Sequence, residues 1–236
     1  MLVNGVYLHI SEQCSFMICN LDSVIGGGTL MPRDKTKSHE KIIEAAKKEF
    51  LEYGYAEASL RRIAAAAGIQ VGGLYKHFAS KDEMFEALVE PAIREFYRLY
   101  HDVEKQYLDD THASQWENKH EAVCIMELIY EHFDEFRLLI LRSQGTRYED
   151  FKHEIALLEE TATLRYIDVL RKQGLKVNEV DRTEFHLLST SYVEAFFQPL
   201  IHGLDREKAM HYAKTIEEFY GAAWMSWLGL SNDASL

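Results

Sequence analysis

The sequence predicts an all-α protein, with an N-terminal domain of three helices followed by a six-helix bundle. Three observations carry this. Apolar residues recur at three- and four-residue intervals over most of the chain. Only 3 prolines interrupt its 236 residues. No alternating Val/Ile/Thr-rich runs stand between turn signals, as strands would require. At 47% hydrophobic and 27% charged residues, the composition is that of a globular chain able to bury a sizeable core.

Residues 1–32 read as an N-terminal extension without helical periodicity. They lack the basic start and long apolar stretch of a signal peptide. Met31 reads as a second possible start, so the extension is either part of the natural protein or lies upstream of it. Ile42, Ile43, Ala46, Phe50 and Tyr53 then share a helical face, and the first helix should end near Gly54. Ser59 stands as an N-cap before LRRIAAAAG, which closes at Gly68. A third, short helix follows over residues 70–77, and residues 33–82 form the first domain.

Ser80 and Glu83 make an S-x-x-E capping box for a fourth helix, which Pro91 should kink near Ala87. The box recurs as Ser114 with Glu117 and Thr146 with Glu149, and in acidic form as Asp181 with Glu184. The helices that follow are expected over 115–133, 136–143, 147–173, 182–202 and 206–229, with Gly174 and Gly203 as stops. Together they make the second domain, 83–236.

Charge separates the two domains. The chain carries −12 overall, yet residues 31–82 hold ten bases and seven acids, and residues 83–236 hold 16 bases and 29 acids. A basic face on an acidic body turns that face toward phosphate and repels the rest. Cys14, Cys19 and Cys124 suggest neither a disulfide framework nor a metal set, which predicts a reducing cytoplasm. No segment approaches the roughly 18 apolar residues of a membrane span.

The stretch GIQVGGLYKHF, residues 68–78, places two adjacent glycines in a predicted helix. Each costs up to about 1 kcal/mol relative to Ala, so something other than propensity must favour them. Two short helices joined by a tight turn at Gly68 and packed on a longer one describe a helix-turn-helix. Ile63, Ile69 and Leu74 are spaced to fill its core, with Phe78 beside them. The segment SLRRIAAAAGIQVGGLYKHFASKDEMFEAL, Ser59 to Leu88, resembles the DNA-binding domain of the TetR family of bacterial transcriptional regulators. The likeness covers residues 38–88 and includes Ile63-Ala64, Ala67-Gly68, Gly72, Leu74-Tyr75, His77-Phe78 and Lys81.

The resemblance implies that the third helix enters the major groove. It implies that Tyr75 and His77 contact phosphates, that Lys81 and the Ser59 cap clamp the backbone, and that Gln70, Val71, Gly73 and Lys76 face bases or nearby phosphates. The chemistry suits those roles, since Gln bridges adenine N6 and N7, Val packs on a thymine methyl and Lys reaches guanine or phosphate. Arg33, Lys35 and Lys37 form a short basic arm before the first helix, suited to phosphate or minor-groove contacts. Gln70 and Gly73 depart from the family pattern, where a small hydroxyl and a polar residue are common. By the same resemblance, Gly72 sits where backbones pass closely, and Gly73 leaves room at the groove floor.

In the larger domain, Phe185, Leu188, Tyr192, Phe196 and Leu200 make one apolar stripe, and Tyr212, Ile216, Phe219, Ala223 and Trp227 another. Both helices carry further apolar residues off the stripe. The resemblance implies that they pair with their copies in a homodimer, through Phe196, Phe197, Leu200, Ile216, Phe219, Tyr220, Ala223 and Trp227. Trp116, Met126, Tyr130, Phe133, Tyr166 and Tyr192 are candidates for a pocket taking an unidentified small-molecule effector. The expected function is a ligand-responsive regulator, a repressor that leaves a near-palindromic double-stranded DNA operator when the effector binds.

The competing reading is a carboxylate-bridged di-iron enzyme, which needs two E-x-x-H pairs and two further Glu. Glu117 with His120 is one pair, and Asp150 with His153 an imperfect second. No nucleophile elbow, zinc-protease motif, Walker loop or dinucleotide fingerprint is present. No catalytic residue, metal site or cofactor is therefore expected.

Overall fold

A computed structural model describes the backbone of residues 33–109 and 121–230, and the side chains of 37–105 and 121–230. Among the described residues there are ten helices and no strands. They are α1 (Arg33–Glu57), α2 (Leu60–Ala66), α3 (Val71–Leu74), α4 (Lys81–Asp109) and α5 (Glu121–Glu131), then α6 (Phe133–Leu141), α7 (Phe151–Lys172), α8 (Arg182–Phe196), α9 (Gln198–Ile201) and α10 (Arg206–Trp227). The chain divides into two compact units, Met1–His39 and Glu40–Leu236. The expected extension over 1–32 lies outside the described residues, as do Trp116, the Ser114–Glu117 box and His120.

Within the second unit one continuous core runs from Ile42 on α1 to Ile216 on α10. Its densest part is aromatic. Phe85 meets Phe50 and Tyr55 edge-on at 5.4 and 5.5 Å and lies 6.0 Å from Tyr148. The Tyr55 hydroxyl donates to Asp82 at 2.6 Å, and its amide donates to the Arg142 carbonyl at 2.9 Å. Burial, and then the Asp82 carboxylate, push the Tyr55 phenol up to about 12.

Gly54 breaks α1 with φ +77°, a conformation L side chains avoid, so the expected end of the first helix stands. Pro91 lies inside α4, which continues to Asp109. The carbonyl left without an amide donor belongs to Ala87, an exposed residue. The expected helix 182–202 divides instead into α8 and α9. Pro199 near the start of α9 offers no amide to the Ala195 carbonyl, which accepts from the Tyr212 hydroxyl at 2.9 Å.

Capping follows the sequence in two places. The Glu83 amide donates to Ser80 Oγ at 3.1 Å while Glu83 accepts from the Ala79 amide, and Asp181 Oδ1 accepts from Thr183 and Glu184 at 2.9 and 3.0 Å. Thr146 and Glu149 instead shape the turn before α7. Thr146 Oγ1 donates to the Ser143 carbonyl, and Glu149 accepts from the Gly145 amide.

Candidate nucleic-acid interface

The loop into α2 is organised by one buried carboxylate. Glu49 on α1 accepts from the Ser59 amide at 2.7 Å and from Arg62 Nε at 2.7 Å, while Arg62 Nη2 donates to the Glu57 carbonyl at 2.9 Å. The Arg62 guanidinium also lies 4.1 Å from the centroid of the Tyr53 ring. The Glu49 carboxylate and the Glu57 carbonyl thus hold Arg62, while Arg61 is exposed. Ser59 occupies the N-cap of α2 with extended φ/ψ, yet its hydroxyl makes no capping bond.

Gly68 turns the chain from α2 to α3 at φ +71°. The turn closes when the Ile69 amide donates to the Ala64 carbonyl at 2.9 Å. Leu74 is fully buried and Phe78 nearly so, and they pin the short α3 to the core. Its other face is open. Gln70, Tyr75 and Lys76 are exposed, Tyr75 to 52%; Val71 and His77 are half-buried.

The two glycines are required by nothing inside the subunit. Neither has positive φ, a Cβ on Gly72 would meet nothing within 4 Å, and one on Gly73 would make only ordinary contacts with Ile69 at 3.8 Å. The close backbone approach expected at Gly72 is therefore absent within the chain, because that face points outward.

Lys81 corrects another expectation. Its ammonium donates to the Tyr55 carbonyl at 2.7 Å, reaches those of Ala56 and Ala58, and sits 4.2 Å from the centroid of the Tyr55 ring. It ties the end of α1 to the start of α4 and has no donor to spare for phosphate. The basic residues expected as an arm before the first helix are instead part of it: α1 begins at Arg33 and includes Lys35 and Lys37, of which Lys37 is exposed.

Of the eight residues expected at a dimer interface, Phe196, Phe197, Leu200 and Ile216 are at most 6% exposed within one chain. They belong to the internal core, because each faces the neighbouring helices. Phe219 and Ala223 are exposed, Tyr220 and Trp227 half-buried. Leu187 and Leu188 on α8, absent from that set, are exposed as well.

Of the expected pocket residues, Trp116 lies outside the described residues and the others lie on α5, α6, α7 and α8. Met126 is buried core, and Tyr166 is buried on α7. Tyr130 lies 5.1 Å from Phe133, ring to ring, and its hydroxyl donates to the Leu204 carbonyl at 2.9 Å. The Tyr192 ring lies 5.1 Å from that of Tyr220, and burial, with Glu159, Glu121 and Glu217 acting on it, pushes its phenol up.

Sequence reading missed these carboxylates, since a Glu on a helix is ordinarily solvated. Burial, with Glu104 nearby, pushes the Glu159 carboxyl up to about 7. A carboxyl raised from 4.5 in the unfolded chain holds its proton longer when folded. Stability is therefore undiminished below about pH 4.5 and falls as pH rises toward 7. Removing this penalty with Glu159→Gln should raise Tm at pH 8 and leave it nearly unchanged at pH 4, as calorimetry would show.

Among the described residues no group of three or more His, Cys, Asp or Glu side chains gathers as a metal set. Asp150 is the N-cap of α7, and His153 packs edge-on against His186 at 5.7 Å. No helix among them is long and apolar enough to cross a membrane.

Two short helices on a long one, with the second exposed along one face, define a helix-turn-helix domain. Residues 42–88 match the model of the family described as bacterial regulatory proteins, tetR family. The transcriptional repressor AcnR of Corynebacterium glutamicum is 40% identical over 53 residues, covering 22% of this chain and 28% of that protein. The chain thus matches little more than a quarter of AcnR, and 26% of the repressor Rv1474c of Mycobacterium tuberculosis. Among solved structures, NalD, the secondary repressor of the MexAB-OprM multidrug efflux pump in Pseudomonas aeruginosa, shares the fold. It superposes with a TM-score of 0.51 at 20% identity, covering 79% of this chain and 97% of that one.

Proposed function

We propose that this chain is a DNA-binding transcriptional repressor. It acts in the cytoplasm as a homodimer, reads a near-palindromic operator with α3 and its flanks, and releases it when a small molecule occupies the bundle. The domains are residues 33–82 for DNA and 83–236 for dimerisation and effector. The observation that carries the reading is the outer face of α3. It presents Gln70, Tyr75 and Lys76 to solvent on an anchored frame. Its two glycines are unexplained by backbone or internal packing and suit close approach to a groove.

Ser59, Val71, Gly73 and His77 complete the proposed DNA surface, and Arg33, Lys35 and Lys37, in the first turns of α1, are proposed as further phosphate contacts. Lys81 leaves the set for the reason given above. The relatives named as transcriptional repressors support the same reading. The exposed Leu187, Leu188, Phe219 and Ala223 supply the dimer face, with Tyr220 and Trp227 beside them.

Selection from random duplex DNA, followed by titration at several salt concentrations, tests this. Two chains should bind each selected duplex, with an affinity that falls steeply as salt rises. Tyr75→Ala should weaken all selected sequences about tenfold, and Gln70→Ala should relax preference at one base pair. Gly73→Ala should weaken DNA while stabilising the free protein by up to about 1 kcal/mol. Wild-type protein indifferent to every duplex would end the proposal.

A further inference from the structure

Both ends of the α3 segment close with tight, three-residue hydrogen bonds. The Gly73 amide donates to the Gln70 carbonyl at 2.8 Å, which also accepts from the Leu74 amide at 3.3 Å, and the Lys76 amide donates to the Gly73 carbonyl at 3.2 Å. In that winding, residues three apart stand nearly one above the other. Gln70, Gly73 and Lys76 therefore form one row, an amide and an ammonium with no side chain between them. Gln70 and Lys76 are exposed, and Gly73 is half-buried.

The gap in this row has an apolar wall. A Cβ at Gly73 would meet Ile69 Cβ and Cδ1, each at 3.8 Å, and no other side chain within 4 Å. Ile69 packs against the core but is only half-buried, so part of it remains open to solvent. The place that the methyl of an alanine would fill is thus a notch, floored by the Gly73 Cα and bounded on one side by Ile69 at ordinary carbon–carbon contact distance. Gly72 differs, since a Cβ there would stand in open space. Glycine at 73 forgoes helix propensity and leaves this notch empty in the free protein.

The floor of a major groove offers nitrogen and oxygen donors and acceptors, and one apolar group of matching size, the C5-methyl of a pyrimidine. We propose that the notch between Gly73 and Ile69 seats a pyrimidine C5-methyl, carried by thymine or by 5-methylcytosine, so that this operator position is selected by shape rather than by hydrogen bonding. This assignment rests on the reading of α3 as the helix that enters the groove, and names the base group taken at one point of it. Three residues of such a helix rise about 5 to 6 Å, against about 3.4 Å per base pair. The methyl therefore lies one or two base pairs from the base read by Gln70, for which adenine has the matching donor and acceptor.

Duplexes selected by the full chain from random DNA, one pool unmodified and one with its cytosines methylated at C5, supply the probes. Their thymines are replaced singly by uracil, and their 5-methylcytosines by cytosine, which removes the methyl alone. At least one such replacement in each half-site should weaken the wild type about fourfold, and the base that responds names the source of the methyl. Gly73→Ala fills the notch with its own methyl. It should bind the duplex lacking that methyl at least as tightly as the duplex carrying it, while melting no lower than the wild type. Gln70→Ala leaves the notch open and should keep the fourfold ratio. Selected duplexes with no methyl-sensitive position, or a Gly73→Ala protein that keeps the wild-type preference at every such position, would overturn the proposal and leave DNA binding standing. Wild-type protein that binds no duplex would end this proposal and the regulator reading together.

Discussion

Leu74→Ala should remove sequence-specific DNA binding while leaving most of the molecule folded. Leu74 is fully buried and is the side chain that fastens α3, a helix of four residues in which two are glycine. Such a helix has almost no stability of its own, because nucleation is unfavourable and glycine adds conformational freedom to the unfolded state. Truncating a buried Leu costs about 3 kcal/mol from lost transfer energy and the cavity left behind. That cost falls on the segment least able to bear it. Hydrogen exchange should show residues 69–78 losing protection while α5 to α10 keep theirs, and duplex affinity should drop more than tenfold. Protection of residues 69–78 equal to the wild type would show that α3 is held by something other than this side chain.

Phe85→Ala should lower the stability of the whole second unit by about 4 kcal/mol, since truncating a large buried aromatic forfeits both transfer energy and packing. For a domain of this size that corresponds to a Tm lower by about 10 °C. The reason is its position: the ring on α4 touches Phe50 and Tyr55 from α1 and Tyr148 from the turn before α7. Phe85→Leu should recover a substantial part of the loss, because it restores volume without the edge-to-face contacts. Urea denaturation followed by circular dichroism measures both. A loss below about 1 kcal/mol in Phe85→Ala would mean that the aromatic cluster closes over the space.

The helix-turn-helix was legible in the sequence because its determinants are local. Gly68 had to turn with positive φ, Ile63 and Leu74 had to meet across that turn, and the Ser80–Glu83 box had to start α4. Each condition involves residues within about one helix length of each other. Glu49 was not legible: its carboxylate caps a loop ten residues further on, and nothing in its spacing separates it from a solvated Glu. The same holds for Lys81, whose positive charge suited phosphate until the fold supplied the carbonyls of Tyr55, Ala56 and Ala58. The dimer-face expectation failed in half its members because a helical stripe shows which residues are apolar, not whether the surface they cover belongs to the same chain.

By itself, the sequence determined the helical class, the turn at Gly68 and the caps at Ser80 and Asp181. Those depend on backbone propensity and on periodicity, which act over a few residues. Only the tertiary structure decided that Lys81 is engaged and that Phe196 and Leu200 are core. Burial and electrostatic environment are created by which helices pack together, and a charge has no neighbours across space until the chain has folded.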